Sequence, residues 1–362
     1  MSKMTKKQKN ILKWAFVMLL VCVVVYAFRD SAGPIYREIK ETSPKILVMI
    51  LLASMAYEFV ESIISYILVS QYSNSKLTFL DANFMTYFIS FYRVTTLGSG
   101  VIVAAFLYLR TCGLKSSEGF GMYVVQYAIH KISIAVIGVV AICLDFAYVM
   151  GVCGEYKNYL LLGVAATVVI TVVLVLFAGS TKFHKGLYFV LDKINFHGKF
   201  TRAVDKLKTQ CQVMEDGAKV VLKKPGVIVG ALVLNVVKSA LWFAIPYIIL
   251  RGEPGIYLFR TIGITAICIM LAGVIPIPGG IASSEFVLIA IFSGIVGGTD
   301  AAAMSLLYRF ATFVFPFLLG TIVAIFFREI RRRKQRLYLE MFVEMSREKD
   351  ELDMELGFDT EE

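Results

Sequence analysis

The sequence is poor in the residues that soluble catalysis and metal binding require. It holds three histidines, and its six cysteines show no CxxC spacing. Histidine and closely spaced cysteines are the usual ligands of zinc, so neither a zinc site nor a disulfide framework is indicated. No phosphate-binding loop, dinucleotide fingerprint or Ser-His-Asp set appears. We therefore expect no metal, no cofactor and no catalytic residue of the soluble type.

Charged residues are also scarce, at 18% of the chain against 58% hydrophobic residues, and the mean hydropathy is +0.72. These values are typical of polytopic membrane proteins. The formal charge of +10 does not indicate a nucleic-acid partner, because the bases cluster at the ends of apolar runs. Such clustering marks the cytoplasmic side of a membrane protein. We expect a multi-pass protein of the cell membrane with both termini in the cytoplasm.

Long apolar runs predict an all-α fold with about six full spans. The first run has no convincing small-residue cleavage site after it, so it reads as an uncleaved anchor rather than a signal peptide. The predicted spans are residues 11–28, 46–69, 121–147, 158–178, 227–250 and 301–327.

Two further apolar segments are interrupted and predict broken or re-entrant helical hairpins. Residues 275–280 read IPIPGG, and residues 97–100 read LGSG. Proline and glycine cannot continue a helix without cost. A break at membrane depth is tolerated only where protein or a water-filled cavity satisfies the freed backbone groups. The two breaks are therefore candidate sites.

The two breaks also indicate an internal duplication. Gly100 and Gly280 lie 180 residues apart, and at the same offset Glu58 falls opposite Lys238. If each broken element turns back to the side it came from, the basic segments all lie inside and the two halves have opposite orientation. That arrangement is the inverted repeat common among transporters. The alternative is that two unrelated helical hairpins happen to align.

The chain divides into four segments by composition. A basic stretch at 179–224 is predicted to be either an interfacial helix on anionic lipid or a solvated linker. A charged tail follows the last span and reads as a solvated cytoplasmic helix. The segments are 1–178 (first membrane segment), 179–224 (basic linker), 225–327 (second membrane segment) and 328–362 (tail).

Ionisable residues inside the predicted spans are the candidate substrate-binding residues, because each needs a partner or a wet cavity. Arg309 and Lys131 are the first choices for binding a lipid phosphate. The half-helix after the second break would add N–H donors. The alternative is that the charges merely neutralise one another, and that Arg93 and Arg260 snorkel to an interface. The candidate set is Arg309, Glu285, Lys131, Lys238, Glu58, Gly279, Gly280 and Ser283.

The break at 276–285 and the later Tyr308-Arg309 pair resemble the flippase-like membrane region of the lysylphosphatidylglycerol synthase family. Bacterial multiple peptide resistance factors are its best-known members. In the first half, residues 98–100 lack the proline often seen in the family, and His130-Lys131 stands where relatives often have an acidic-basic pair. The resemblance implies a membrane domain that moves or handles phospholipid. Full-length relatives add a soluble aminoacyl-transfer domain after this region; since about 35 mostly charged residues follow the last predicted span, we expect that domain to be absent.

Three functions follow as hypotheses. The first is a flippase for phospholipid, including aminoacylated phosphatidylglycerol, or for a lipid-linked intermediate. The second is a lipid-modifying transferase of the phosphatidylglycerol lysyltransferase type. The third is a membrane scaffold for a separate synthase. A homo-oligomer is left open as a further partner, and no nucleic acid is expected.

Overall fold

The computed structural model describes residues 32–96, 98, 100–154, 157–194, 201–273, 283–327, 329 and 332. Within these residues the chain is helical and contains no strand. The helices are α1 (Ala32–Glu41), α2 (Pro44–Val69), α3 (Phe79–Thr95), α4 (Val101–Thr111), α5 (Ser116–Leu144), α6 (Phe146–Cys153), α7 (Lys157–Gly179), α8 (Thr181–Ile194), α9 (Thr201–Leu222), α10 (Pro225–Phe243), α11 (Ile245–Ile249), α12 (Leu258–Ala272), α13 (Ser283–Val296) and α14 (Gly298–Arg309).

Four helical stretches among the described residues are long and apolar enough to cross a membrane, which confirms a multi-pass membrane protein. A fifth candidate is the bent pair Leu162–Phe177 and Thr181–Leu191, whose axes meet at 96°. The predicted first span at 11–28 and the tail beyond 332 lie outside the described residues. The four stretches are Pro44–Val69, Glu118–Leu144, Pro225–Ile249 and Gly298–Phe327.

Both interrupted segments form pairs of short apolar helices. The first pair is α3 and α4, and the second is α12 and α13. The two arms of each pair pack against each other. The residues of the second break, 274–282, lie outside the described residues. The prediction for Gly279 and Gly280 therefore stays a prediction.

The first break has a clear local cause. Gly98 has φ of 83°, a left-handed conformation that favours glycine over other residues, and its N–H donates to the Arg93 carbonyl at 2.8 Å. This is a common way to end a helix with its last carbonyls satisfied. The Thr96 hydroxyl then accepts from the Gly100 N–H at 2.8 Å before α4 begins. Arg93 is thereby fixed in the last turn of α3.

The membrane helices pack reciprocally across the two halves. Helices α2 and α10 pack along one another, and α5 packs on α12. At the second contact a β-carbon on Gly263 would lie 2.4 Å from Ala141, so only glycine permits this approach. The last span makes a similar close contact with α3: a β-carbon on Gly320 would lie 2.2 Å from the Tyr87 carbonyl oxygen. Helix α5 thus lies against the first arm of the second broken element, and the span Gly298–Phe327 lies against the first arm of the first broken element.

The basic stretch contains two amphipathic helices, α8 and α9. The choice between an interfacial helix on anionic lipid and a solvated linker stays a prediction. Helix α9 packs on α5, and the Tyr72 hydroxyl donates to the Gly217 carbonyl at 2.8 Å. His184 of α8 is buried and lies 2.5 Å from the Glu215 carboxylate of α9. These contacts fasten the linker to the membrane helices.

Two helices fall where the sequence predicted none. The stretch before the second span, predicted as a linker because its charges are mixed, contains α1, which packs against α14. The short helix α6 follows α5 where the Asp145 carboxylate accepts from the Tyr148 N–H at 3.3 Å. Both helices are fixed by contacts with distant segments, which periodicity in a short window does not reveal.

Candidate functional site

Two cavities lie between the helices, one beside each broken element. The larger, about 440 Å³, lies against the first break at Gly98, Val101 and Ile102. The smaller, about 190 Å³, lies against the second arm of the other element at Ser284 and Glu285. We refer to them as the large cavity and the small cavity. Because four side chains line both, Tyr57, Arg93, His130 and Trp242, the two cavities meet at one junction.

An ion pair between the two halves lines the large cavity. Lys238 of α10 donates to Glu61 of α2 at 2.6 Å, and its side chain is only 2% exposed, against 23% for Glu61. Gln126 of α5 donates to Glu61 at 2.8 Å and to Ser65 at 2.9 Å. A buried ammonium needs such a partner, because removing it leaves an uncompensated charge. Three helices are therefore joined by one carboxylate.

A second ion pair lines the small cavity. Arg309, in the last turn of α14, donates to Glu285 in the first turn of α13. A carboxylate in the first turn of a helix complements the helix dipole, which favours Glu285 at this position. Arg309 lies inside the longer helical span Gly298–Phe327. A π-helical turn, Phe310–Val314, follows Arg309 directly. Single π-helical turns inside α-helices are frequently found at functional sites.

The junction is formed by the stacked rings of Tyr57 and Trp242 together with the side chains of Arg93 and His130. The rings of Tyr57 and Trp242 stack with centroids 3.5 Å apart, and Lys238 lies 5.2 Å from the Tyr57 ring centre. Within the described residues, Nδ1 of His130 and Nε1 of Trp242 are buried and have no hydrogen-bond partner. Polar groups buried without a partner are costly. The junction thus has hydrogen-bonding capacity that the described protein groups do not satisfy.

The family model for the lysylphosphatidylglycerol synthase transmembrane region matches residues 10–320. That stretch is most of the chain. The protein belongs to this family. No curated protein matched the chain in a separate sequence search.

Membership of the lysylphosphatidylglycerol synthase transmembrane family gives the protein a lipid-related function in the membrane. Both breaks and every residue lining the two cavities fall inside the matched stretch. The resemblance read from the Pro-Gly break and the Tyr-Arg pair is therefore confirmed. The charged tail beyond residue 320 lies outside it.

The structure brings some of the predicted site residues together and separates others. Glu285 and Arg309 pair with each other at the small cavity, and Lys238 lines the large one. Glu58 is buried between α2 and α3, where it accepts a hydrogen bond from Ser90 at 3.4 Å, and it lines neither cavity. Among the described residues the ionic partner of Lys238 is Glu61 rather than Glu58, and the correspondence of Glu58 with Lys238 in a repeat stays a prediction.

Lys131 and Ser283 lie apart from the two cavities. Lys131 lines a separate pocket of about 20 Å³ beside Gly273, the last described residue before the second break, and lies over the Tyr127 ring at 5.4 Å. Ser283 is buried at the start of α13. The phosphate-binding role predicted for Lys131 would thus have to act at the second break rather than in a cavity shared with Arg309.

Several cavity residues carried too little signal in the sequence. The aromatic residues Tyr57 and Trp242 read as ordinary residues of apolar spans. The sequence leaves Arg93 as an ionisable residue that could simply snorkel to an interface; in the structure it lines both cavities. Arg260, the other such candidate, is 42% exposed and pairs with Asp145 at 2.6 Å, away from both cavities. The signal that separates the two arginines is the glycine break that follows Arg93.

Proposed function

We propose that this protein moves phospholipid, or a lipid-linked intermediate, between the leaflets of the cell membrane. The headgroup passes through the large cavity, the junction and the small cavity, while the acyl chains stay in lipid. The observation that carries the proposal is the shared lining of the two cavities by Tyr57, Arg93, His130 and Trp242. A charged headgroup cannot cross hydrocarbon unassisted, and a polar route between helices lowers that cost.

The charges of the two cavities suit a phosphate-bearing headgroup. Three bases, Arg93, Lys238 and Arg309, line them together with two carboxylates, Glu61 and Glu285. Guanidinium and ammonium groups bind phosphate, and a carboxylate can receive an amine of the same headgroup. Aminoacylated phosphatidylglycerol has both groups, so it is a candidate substrate alongside simpler phospholipids.

Reciprocal packing of the halves supports an inverted repeat as the basis of transport. Helix α5 of the first half packs on α12, the first arm of the second broken element. The last span, at Gly320, packs on α3, the first arm of the first broken element, so each half makes the same kind of contact with the other. Two halves of opposite orientation would present one cavity toward each leaflet, with both termini in the cytoplasm. Alternating exposure of a central site by such halves is a common transport mechanism.

Purified protein in liposomes tests this function. A fluorescent phospholipid in the inner leaflet should become accessible to a membrane-impermeant quencher, with and without an imposed proton gradient. Arg309→Ala should slow this movement while Arg260→Ala, which removes an exposed arginine paired with Asp145 outside the cavities, should not. A headgroup panel of phosphatidylglycerol, lysylphosphatidylglycerol and phosphatidylethanolamine identifies the substrate.

Two outcomes would replace the transport proposal. If the protein moves no lipid but modifies it when given a charged tRNA or a sugar donor, it is a lipid-modifying transferase. If it acts only when a separate synthase is reconstituted with it, it is a scaffold, and the docking surface should be sought on α8 and α9.

A further inference from the structure

Arg93 differs from the other bases of the site in how its charge is balanced. Lys238 and Arg309 each make a direct ion pair with a carboxylate, Glu61 and Glu285 respectively. Within the described residues Arg93 makes no ion pair within 4.0 Å and no hydrogen bond from its side chain, although it is half-buried at the junction of the two cavities. Its donors are therefore available in a way that those of the other two bases are not.

A buried carboxylate outside the cavities, Glu58, lies near Arg93 and balances its charge. Glu58 is 1% exposed, lines neither cavity, and is held by Ser90, which lies one helical turn before Arg93 on α3. The bond to Ser90 places this carboxylate against α3, one helical turn from Arg93 and without a direct ion pair to it. An arginine balanced by a carboxylate at longer range keeps its planar fork of N–H donors free. Arg93 itself lines both cavities.

The backbone holds Arg93 at this place. It lies in the last turn of α3, where a base complements the negative end of the helix dipole. Its carbonyl accepts the N–H of Gly98, whose left-handed conformation closes the helix at the break. The first break thus serves to present this arginine at the wall of the large cavity.

We propose that Arg93 is the phosphate-binding residue of this protein, gripping the phosphodiester of a phospholipid at the junction while Glu58 balances its charge from outside the cavity. The proposal rests on the proposed lipid transport and names the group that recognises the substrate. Arg309 and Lys238, already occupied by carboxylates, would contact the headgroup only after exchanging partners. The unpartnered ring nitrogens of His130 and Trp242 belong to side chains that line the same junction.

Trp242 offers a direct readout of binding, because it lines both cavities and the chain holds only two tryptophans. In a Trp14→Phe background, dihexanoyl phosphatidylglycerol should change Trp242 fluorescence in a saturable way. Arg93→Gln should raise the Kd about tenfold, the loss expected for a charge-assisted contact of about 1.4 kcal/mol. Arg93→Lys should restore part of the affinity, since lysine keeps the charge but not the fork. Dihexanoylglycerol, which lacks the phosphate, should show no difference between the variants.

The Glu58 variant separates an anion site from a structural ion pair. If Arg93 binds phosphate, Glu58→Gln should tighten binding about threefold, because a competing negative charge behind the arginine is removed. If the two groups only hold α2 and α3 together, Glu58→Gln and Arg93→Gln should weaken binding alike, and that result overturns the proposal. The double variant Glu58→Gln/Arg93→Gln keeps the buried charge balanced, so it controls for misfolding and should bind as weakly as Arg93→Gln.

Inorganic phosphate and the liposome assay distinguish the remaining cases. Inorganic phosphate should compete with the lipid in the wild-type protein but not in Arg93→Gln. An unchanged Kd in Arg93→Gln, in protein that still moves lipid between leaflets, refutes the arginine site and leaves transport standing. Phosphate binding that depends on Arg93, in protein that moves no lipid, supports the site and refutes transport.

Discussion

The two ion pairs of the site hold charges of the same kind in different settings. Lys238–Glu61 joins the two halves of the chain, and its ammonium is almost fully enclosed. Arg309–Glu285 lies within the second half, beside the second break. Its side chains are exposed to a similar degree, 8% and 19%, against 2% and 23% for Lys238 and Glu61, so the two pairs differ in their place in the fold. The comparison teaches that a buried pair between halves acts as a fastening. A pair that lies beside a break and a π-helical turn can instead open for a substrate.

The largest loss of stability should come from removing the carboxylate of the Lys238–Glu61 pair. Glu61→Leu leaves the Lys238 ammonium buried without a partner and should lower the free energy of unfolding by about 3–5 kcal/mol. Lys238→Met should cost less, because Glu61 keeps its bond from Gln126 and its access to the cavity. Chemical unfolding in detergent measures both. Equal losses would contradict the asymmetry, and the double variant should recover most of the stability.

The pair beside the break should affect transport more than stability. Glu285→Gln/Arg309→Gln removes both charges together, so no buried charge is stranded, and unfolding should change by less than about 1 kcal/mol. Lipid movement in liposomes should nevertheless fall about tenfold, since a headgroup would lose both of its exchangeable partners. An Asp145→Asn/Arg260→Gln variant, which neutralises an ion pair outside the cavities, is the matched control. Loss of stability without loss of transport would show that this pair is also only a fastening.

Two glycine variants should show how much close helix packing, as distinct from ion pairing, contributes to stability. Gly320→Val forces a side chain against the Tyr87 carbonyl and should destabilise the protein by about 1–3 kcal/mol. Gly294→Val adds the same atoms where no other atom lies within 4 Å, so it should leave stability nearly unchanged. Thermal unfolding of the two variants side by side checks this. Similar midpoints would mean that α3 and the last span do not pack closely.

The buried His184–Glu215 pair of the linker should contribute the smallest stabilisation, and that contribution should depend on pH. Burial opposes ionisation of Glu215, but hydrogen bonds from Lys219, Thr181 and His184 outweigh it and lower its pKa to about 2. Because the folded pKa lies below the ordinary value of 4.5, the stabilisation is present above about pH 4.5 and is lost as the pH falls toward 2. Hydrogen exchange of α8 and α9 across this range measures the loss.

A neighbouring acid on the same helix provides the control for that pH dependence. Glu215→Gln should abolish it, whereas Asp216→Asn should keep it, because the Asp216 side chain is 66% exposed. Identical pH profiles in both variants would show that Glu215 does not fasten α8 to α9.

Much of the fold follows from apolar length and helix punctuation. The spans at 46–69, 121–147 and 227–250 differ from the helices by a few residues, because lipid-length runs and the prolines at Pro44 and Pro225 fix where helices begin. The broken elements were predicted from their glycines. Helices α1 and α6 were not, since each is held by distant contacts rather than by a periodic pattern.

The site was predictable only as far as burial of charge allows. A charged side chain inside a span must find a partner, and this reasoning anticipated that Glu285 could pair with Arg309. It could not choose between Glu58 and Glu61 as the partner of Lys238, because the two carboxylates stand one turn apart and the choice depends on the rotation of α2. The cavities themselves depend on how α3, α5 and α10 pack, which no single stretch of sequence specifies.

The central claim is that lipid headgroups enter the two cavities between the halves. A phospholipid with a photoactivatable group on its headgroup tests this directly in membranes containing the protein. The account predicts adducts on residues lining the cavities, such as Ile134, Leu288 and Phe313, and competition by unlabelled phospholipid. Adducts confined to the outer ends of the spans, with none on these residues, would contradict it.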